Sequence, residues 1–206
     1  MLHFETIDPS TLELLTHLQK IKGLNRSRLV GGTGLSLQMG HRKSVDLDFF
    51  AYELKEDFLS ILASIKNEGF KVEIRSQSSN ILITMIENVK VDIVNYPYPW
   101  IDKRISEDNI ILASDKDIAA MKLSAITNRG SKKDFIDLYY LLKIYSLEKM
   151  LSFYSKKYND GSDFMVLKSL TYFDDAEIEA PPLLFDKSIT WENIKEKINV
   201  EVKKLI

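Results

Sequence analysis

Leu29-Val-Gly-Gly-Thr-Gly-Leu-Ser-Leu-Gln-Met-Gly-His-Arg-Lys-Ser-Val-Asp-Leu-Asp-Phe-Phe50 decides how this chain is read. A short apolar strand, Arg28 to Val30, runs into the glycines Gly31 and Gly32, then Thr33 and Gly34, and a brief helix ends at Gly40. Val45 to Phe50 alternates with period two and is expected to be a strand. In a strand, residues i and i+2 point the same way. Asp46 and Asp48 are therefore expected side by side, with Val45, Leu47 and Phe49 facing the core. Two adjacent carboxylates repel each other, and a divalent cation relieves the repulsion; magnesium takes hard oxygen ligands and keeps positions free for substrate phosphates. A glycine turn opening a helix brings backbone N–H groups close to a phosphate. A solvated acidic face beside a tight turn is the plainer alternative.

Outward from that stretch, the first half alternates helix and strand. Asp8-Pro9-Ser10 reads as a cap with Pro at the first helical position, and Leu12, Leu15, Leu18 and Ile21 recur at helical spacing. Phe58 to Ile65 supplies a second helical face. Phe70–Ile74, Ile81–Met85 and Val89–Val94 are expected strands, the last two joined by a tight hairpin at Glu87-Asn88. Asp92 sits mid-strand between Val91 and Ile93, as a third carboxylate for a cation or for the proton of an attacking hydroxyl, or as a surface residue of a half-exposed sheet.

The second half reads as helical. Ser114 and Asp117 suit a cap before a helix through Ile118, Met121 and Ala125. Lys122 in that small, apolar setting either snorkels to water or reaches a phosphate as a point charge. Helices carrying Phe135 to Leu142 and Leu147 to Tyr154 follow. Glu177 to Pro182 reads as an acidic linker, and Thr190 caps a last helix with Ile194, Ile198, Val202 and Leu205 on one side. Asp134 and Asp137 share a helix face. Arg129, Lys132 and Lys133 cluster at that helix's start, where the helix dipole disfavours cations; an anion-binding role would explain them, and a solvated charged turn is the plainer alternative. The tyrosines from Tyr139 to Tyr158 suit either a core or stacking on bases. His41 and Arg42 suit either a phosphate contact or a plain loop.

The 206 residues carry 28 Lys and Arg against 30 Asp and Glu, so any contact with phosphate has to come from a local patch. The absence of cysteine excludes disulfides, cysteine-bound zinc and thiol catalysis. No apolar run approaches the roughly 20 residues that span a bilayer, and the start lacks a signal-peptide layout. A cytoplasmic protein is expected.

Taken together, these motifs resemble the AbiEii/AbiGii-type toxins of the DNA polymerase β-like nucleotidyltransferase superfamily. Gly31-Gly32 with Ser44-x-Asp46-x-Asp48 is similar to the family's first motif. Lys122 is similar to its helical lysine, and Arg129-x4-Asp134-Phe-Ile-Asp137-Leu-x2-Leu141 to its last motif. The resemblance implies an α/β (α+β) nucleotidyltransferase core with a mixed sheet, about 1–112, then a helical domain, 113–206. It implies transfer of a nucleoside monophosphate from an NTP with Mg2+ or Mn2+, an RNA (tRNA) acceptor and a cognate antitoxin. In that reading Asp46, Asp48 and Asp92 hold metal, and Gly31, Gly32, Thr33 and Ser44 cradle the triphosphate with Arg129, Lys133 and Asp137. Lys122 neutralises developing charge, and Asp134 positions Lys122 or the acceptor, with Asp137 in support. An RNA track is expected over Lys143, Lys149, Lys156 and Lys157, continued by Lys132 and Lys133. The rivals are an enzyme modifying a small molecule such as an antibiotic, and an inactive module of the same fold that only binds.

Overall fold

The computed structural model describes residues 1–206. A turn of 3-10 helix at Phe4–Thr6 precedes α1 (Pro9–Leu18), β1 (Arg28–Leu29), α2 (Gly31–Met39), β2 (Leu47–Tyr52) and α3 (Phe58–Asn67). β3 (Val72–Gln77), β4 (Ile81–Ile86), β5 (Val89–Tyr96), β6 (Ile105–Glu107) and β7 (Ile110–Leu112) complete the strands. Six helices follow: α4 (Asp115–Asn128), α5 (Lys132–Leu141), α6 (Leu147–Lys157), α7 (Asp163–Ser169), α8 (Asp174–Glu177) and α9 (Trp191–Lys203). The mixed α/β architecture matches the expected fold class.

One seven-stranded sheet runs in the order β3-β4-β5-β2-β1-β7-β6. β2 and β5 lie parallel at its centre, and their register sets Asp48 opposite Asp92. The β4–β5 hairpin turns at Glu87-Asn88, both with positive φ (48° and 65°), the backbone a two-residue type I′ turn demands. A second such turn at Asp108-Asn109 (51° and 62°) joins β6 to β7, a hairpin that sequence patterning does not anticipate because each strand is only three residues long.

Each face of the sheet is covered. On one, Leu15, Leu18, Ile61 and Ile65 from α1 and α3 pack on Leu47, Phe49, Val91 and Ile93. On the other, Val30, Leu35, Val94 and Tyr96 share a core with Ile118, Phe135, Met150 and Ile198 of the helical half. That core draws residues from both sides of Leu112 in the sequence, where strands give way to helices. The tyrosines belong mostly to it: Tyr140, Tyr154 and Tyr158 are buried, and the Tyr96 and Tyr158 hydroxyls meet at 2.6 Å.

Three expectations need correction. Val45 is 60% exposed, because β2 begins only at Leu47 and the segment before it lies outside the ladder. Glu177 to Pro182 is no free linker. The Glu179 carboxylate accepts the Lys132 N–H at 2.8 Å, and the Lys132 ammonium donates to the main-chain oxygens of Glu177 and Glu179 at 3.2 and 2.5 Å. The chain beyond is bridged antiparallel to the stretch after α2, with the Lys43 N–H donating to Leu183 O at 2.8 Å and the Phe185 N–H to His41 O at 3.1 Å. Lys157 is fully buried, paired with Asp117 at 2.8 Å and lying over Tyr96 and Trp100.

Candidate active site

At the carboxyl end of β1 the chain turns directly into α2. Gly31, the first helical residue, has φ of 66°, and a Cβ there would lie 2.0 Å from Asp48 Oδ2. A Cβ on Gly32 would lie 2.1 Å from Arg42 Nη2. Both positions require glycine, one for its left-handed backbone as well as for space, the other for the closeness of a guanidinium. The N-terminus of α2, whose first N–H groups have no intrahelical partner, therefore lies bare against the Asp48 carboxylate.

Asp46, Asp48 and Asp92 line one cleft of about 330 Å³ together with Gly31, Gly32, Ser44, Lys90, Lys122, Arg129 and Lys133. Burial first, then the charge of Asp92 and, more weakly, of Asp46 push the Asp48 carboxyl up to about 6, against the opposing pull of Lys90. Lys90 donates to Asp92 Oδ2 at 2.6 Å, while Asp92 Oδ1 is buried without a partner. Lys133 stands 3.6 Å from Asp46 Oδ2. An unsatisfied carboxylate oxygen beside two further carboxylates is a donor set suited to a hard divalent cation. No three or more such groups are drawn into a preformed cage. Magnesium does not require one, since it binds through one or two carboxylates plus water and substrate phosphates.

The remaining motif residues are brought together one layer deeper. Lys122 is buried between Asp134 Oδ1 (2.8 Å) and Asp137 Oδ2 (2.5 Å). Burial pulls its ammonium down, but Asp137 and Asp134 outweigh that and hold it above the usual lysine range. Asp134 also accepts from Ser131 Oγ at 2.6 Å and Arg129 Nε at 3.1 Å. Burial alone would raise its carboxyl; Lys122 and Arg129 bring it to about 2. Asp137 meets Arg42 Nε and Nη2 at 2.7 and 2.9 Å and His41 Nε2 at 2.7 Å. These partners hold it well below the carboxylate range despite its burial.

Two residues expected at the nucleotide are thereby corrected. Asp137 has no exposed surface, because its own chain saturates both oxygens; it anchors Lys122 and Arg42. Thr33 is also buried, its hydroxyl donating to the main-chain oxygen of Asp46 and lying 2.8 Å from Ser44 Oγ, so it ties α2 to the acidic segment. Asp134 is equally enclosed and touches Lys122, as expected of a residue that positions it. Arg42 and His41 turn out to be clamps on Asp137 rather than a plain loop. Lys90 escapes the sequence reading altogether, although its place two residues before Asp92 on one strand face was signal enough.

Six cationic side chains (Arg42, Lys43, Lys90, Lys122, Arg129 and Lys133) and three acidic ones line the cleft. That balance suits a polyanion more than a cationic ligand.

The whole chain shares its fold with nucleotidyltransferases. It superposes on a crystal structure of a candidate nucleotidyltransferase from H. pylori with a TM-score of 0.60 at 21% identity, covering 96% of this chain and 95% of that one. It superposes on MenT4, a nucleotidyltransferase toxin of Mycobacterium tuberculosis, with a TM-score of 0.58 at 18% identity, covering 94% and 81%. An uncharacterized protein of Aquifex aeolicus is 36% identical over 197 residues, 92% of this chain and 94% of its own length. Residues 13–204 match the family of the nucleotidyl transferase AbiEii toxin of type IV toxin–antitoxin systems, and the chain belongs to that family. It is a nucleotidyltransferase by that membership.

Proposed function

We propose that the protein transfers a nucleoside monophosphate from an NTP to an acceptor hydroxyl on RNA, a tRNA end by family resemblance, in the cytoplasm and under the restraint of a cognate antitoxin. One observation carries the reading: Asp48 and Asp92, in register on parallel strands, share with Asp46 a cation-rimmed cleft in which Asp92 Oδ1 has no partner.

Asp46, Asp48 and Asp92 would hold Mg2+ or Mn2+. The ion, when bound, supplies charge neutralisation at the phosphates and at the leaving pyrophosphate. The chain's own groups do the rest. Gly31 and Gly32 let the backbone of α2 approach the triphosphate, with Ser44 beside them. Arg129 and Lys133 receive its outer charge at the rim. Lys122, oriented by Asp134 and Asp137, presents its ammonium where negative charge develops at the α-phosphorus during in-line attack. Asp92 Oδ1 is the free oxygen for ligation or for the proton of the attacking hydroxyl.

For the acceptor, Lys143, Lys149 and Lys156 are exposed and form the remaining track on the helical half. Lys157 and Lys132 leave it, since both are buried in contacts of their own. No helix is long and apolar enough to cross a membrane.

The test is incubation with each labelled NTP, Mg2+ and total RNA, alongside the Asp48→Asn variant. Label on a discrete RNA band with the parent alone supports the reading. Label on a small molecule would redirect it to the antibiotic-type rival, and no transfer under any condition would leave only a binding module.

A further inference from the structure

Two side chains of the kind that fill cores stand in solvent inside a cleft otherwise built of charge. Val45 is 60% and Leu183 61% exposed, and with Pro182 they line the same cleft as Asp46, Asp48 and Asp92. We infer that Val45, Pro182 and Leu183 form an apolar platform on which the base of the nucleoside triphosphate lies, while the charged floor takes its phosphates. The inference rests on the nucleotide reading above and assigns the site its base-binding end.

The backbone beneath each side chain is fixed. Lys43 donates to Leu183 O at 2.8 Å, Phe185 to His41 O at 3.1 Å, and Ser44 to Thr6 O at 2.9 Å. Leu184, half-buried, packs against the core of the helical half, which leaves Leu183 on the other side of the strap. Exposed apolar side chains on pinned backbone lose little further freedom when a flat ring covers them, so their burial goes into affinity rather than into ordering. The ligand must be anionic at one end and weakly hydrated and planar at the other, which is the form of a nucleoside triphosphate. A bare polyphosphate would leave Val45 and Leu183 wet. No Asn or Gln lines the cleft, so no carboxamide meets a base edge there. The platform recognises ring area, and its contribution is larger for purines than for pyrimidines.

Isothermal titration with Mg2+ present decides it, using ATP, CTP and inorganic tripolyphosphate against the parent and the Val45→Ser/Leu183→Ser double variant. Both replaced side chains are exposed, so the melting temperature should not move, and melting curves check this. Removing the two apolar side chains should weaken ATP by about 10-fold and CTP by less. Tripolyphosphate should stay within about 2-fold of the parent. ATP unchanged in the double variant, or ATP and tripolyphosphate weakened alike, would overturn the platform. A parent that binds tripolyphosphate and ATP equally well would also overturn it, with the phosphate site intact. A parent that binds neither would remove the nucleotide reading, and the platform with it.

Discussion

Replacing Lys122 with methionine tests whether the deeper layer of the site is architecture as well as chemistry. The side chain is 6% exposed, and its ammonium sits 2.8 Å from Asp134 and 2.5 Å from Asp137, both fully buried. Methionine keeps most of the aliphatic stem, so packing loss is small and the change is mainly electrostatic. Removing one member of a buried ion pair costs about 3–5 kcal/mol, because the partner charge stays behind uncompensated. Here each carboxylate keeps a guanidinium, Arg129 for Asp134 and Arg42 for Asp137, and each keeps a further donor. The loss should therefore fall near the lower end, about 3 kcal/mol. Urea denaturation followed by circular dichroism at pH 7 measures it, with a lower midpoint and an unchanged slope. The pH dependence supplies a second readout. Asp134 is depressed to about 2 by its partners, so its pairing stabilises the fold above the unfolded carboxyl value and is lost as pH falls toward about 2. Without Lys122 that contribution shrinks, and the gap between variant and parent should narrow from pH 5 to pH 2. A variant within about 0.5 kcal/mol of the parent, as for a surface change, would refute the claim that Lys122 holds α4 to α5. Loss of transfer at full stability would return Lys122 to a purely chemical role.

Asp48→Asn should abolish transfer while the melting temperature holds or rises, since a half-buried carboxylate facing Asp92 and Asp46 is removed; a fall in melting temperature argues against the repulsion. Lys90→Met leaves Asp92 without its 2.6 Å partner, so the apo form should melt lower and gain more than the parent on adding Mg2+ by linkage; equal gains would deny the carboxylates a metal. Lys157→Met should destabilise by about 3 kcal/mol, because the buried Asp117 loses its paired ammonium and keeps only the Ser114 hydroxyl and the Ile101 and Asp102 N–H groups as close donors, and should leave the salt dependence of RNA binding unchanged. Charge reversal at Lys149 and Lys156 should do the opposite, flattening the log–log salt slope by about 0.7 for each phosphate no longer neutralised; RNA bound as by the parent would make that face merely solvated.

What could be read from the sequence divides along one physical line: local periodicity and spacing were legible, burial was not. Glu87-Asn88 marks a hairpin because its two residues tolerate positive φ, and the structure has it. The Asp46-x-Asp48 spacing and the glycines that open α2 are legible in the same local way, and the structure brings them to one cleft. The same local view cannot say which lysine meets solvent. Lys149, Lys156 and Lys157 read alike in the helix α6, yet Lys157 turns inward because the buried Asp117, forty residues earlier, accepts its ammonium at 2.8 Å and Tyr96 and Trp100 close over it. Asp134 and Asp137 share a helix face, and the sequence reading sets Asp137 at the nucleotide and Asp134 behind Lys122. Both are enclosed instead, and Asp137 is closed off by Arg42 and His41, about ninety-five residues away. Val45 fails for the converse reason. Alternation places it in the core, but a strand's pattern binds only where a neighbouring strand supplies the ladder, and β2 has no partner before Leu47. The misread residues are thus the ones whose partners lie far along the chain, and in the case of Val45 the misreading itself marks a side chain left free for a ligand to cover.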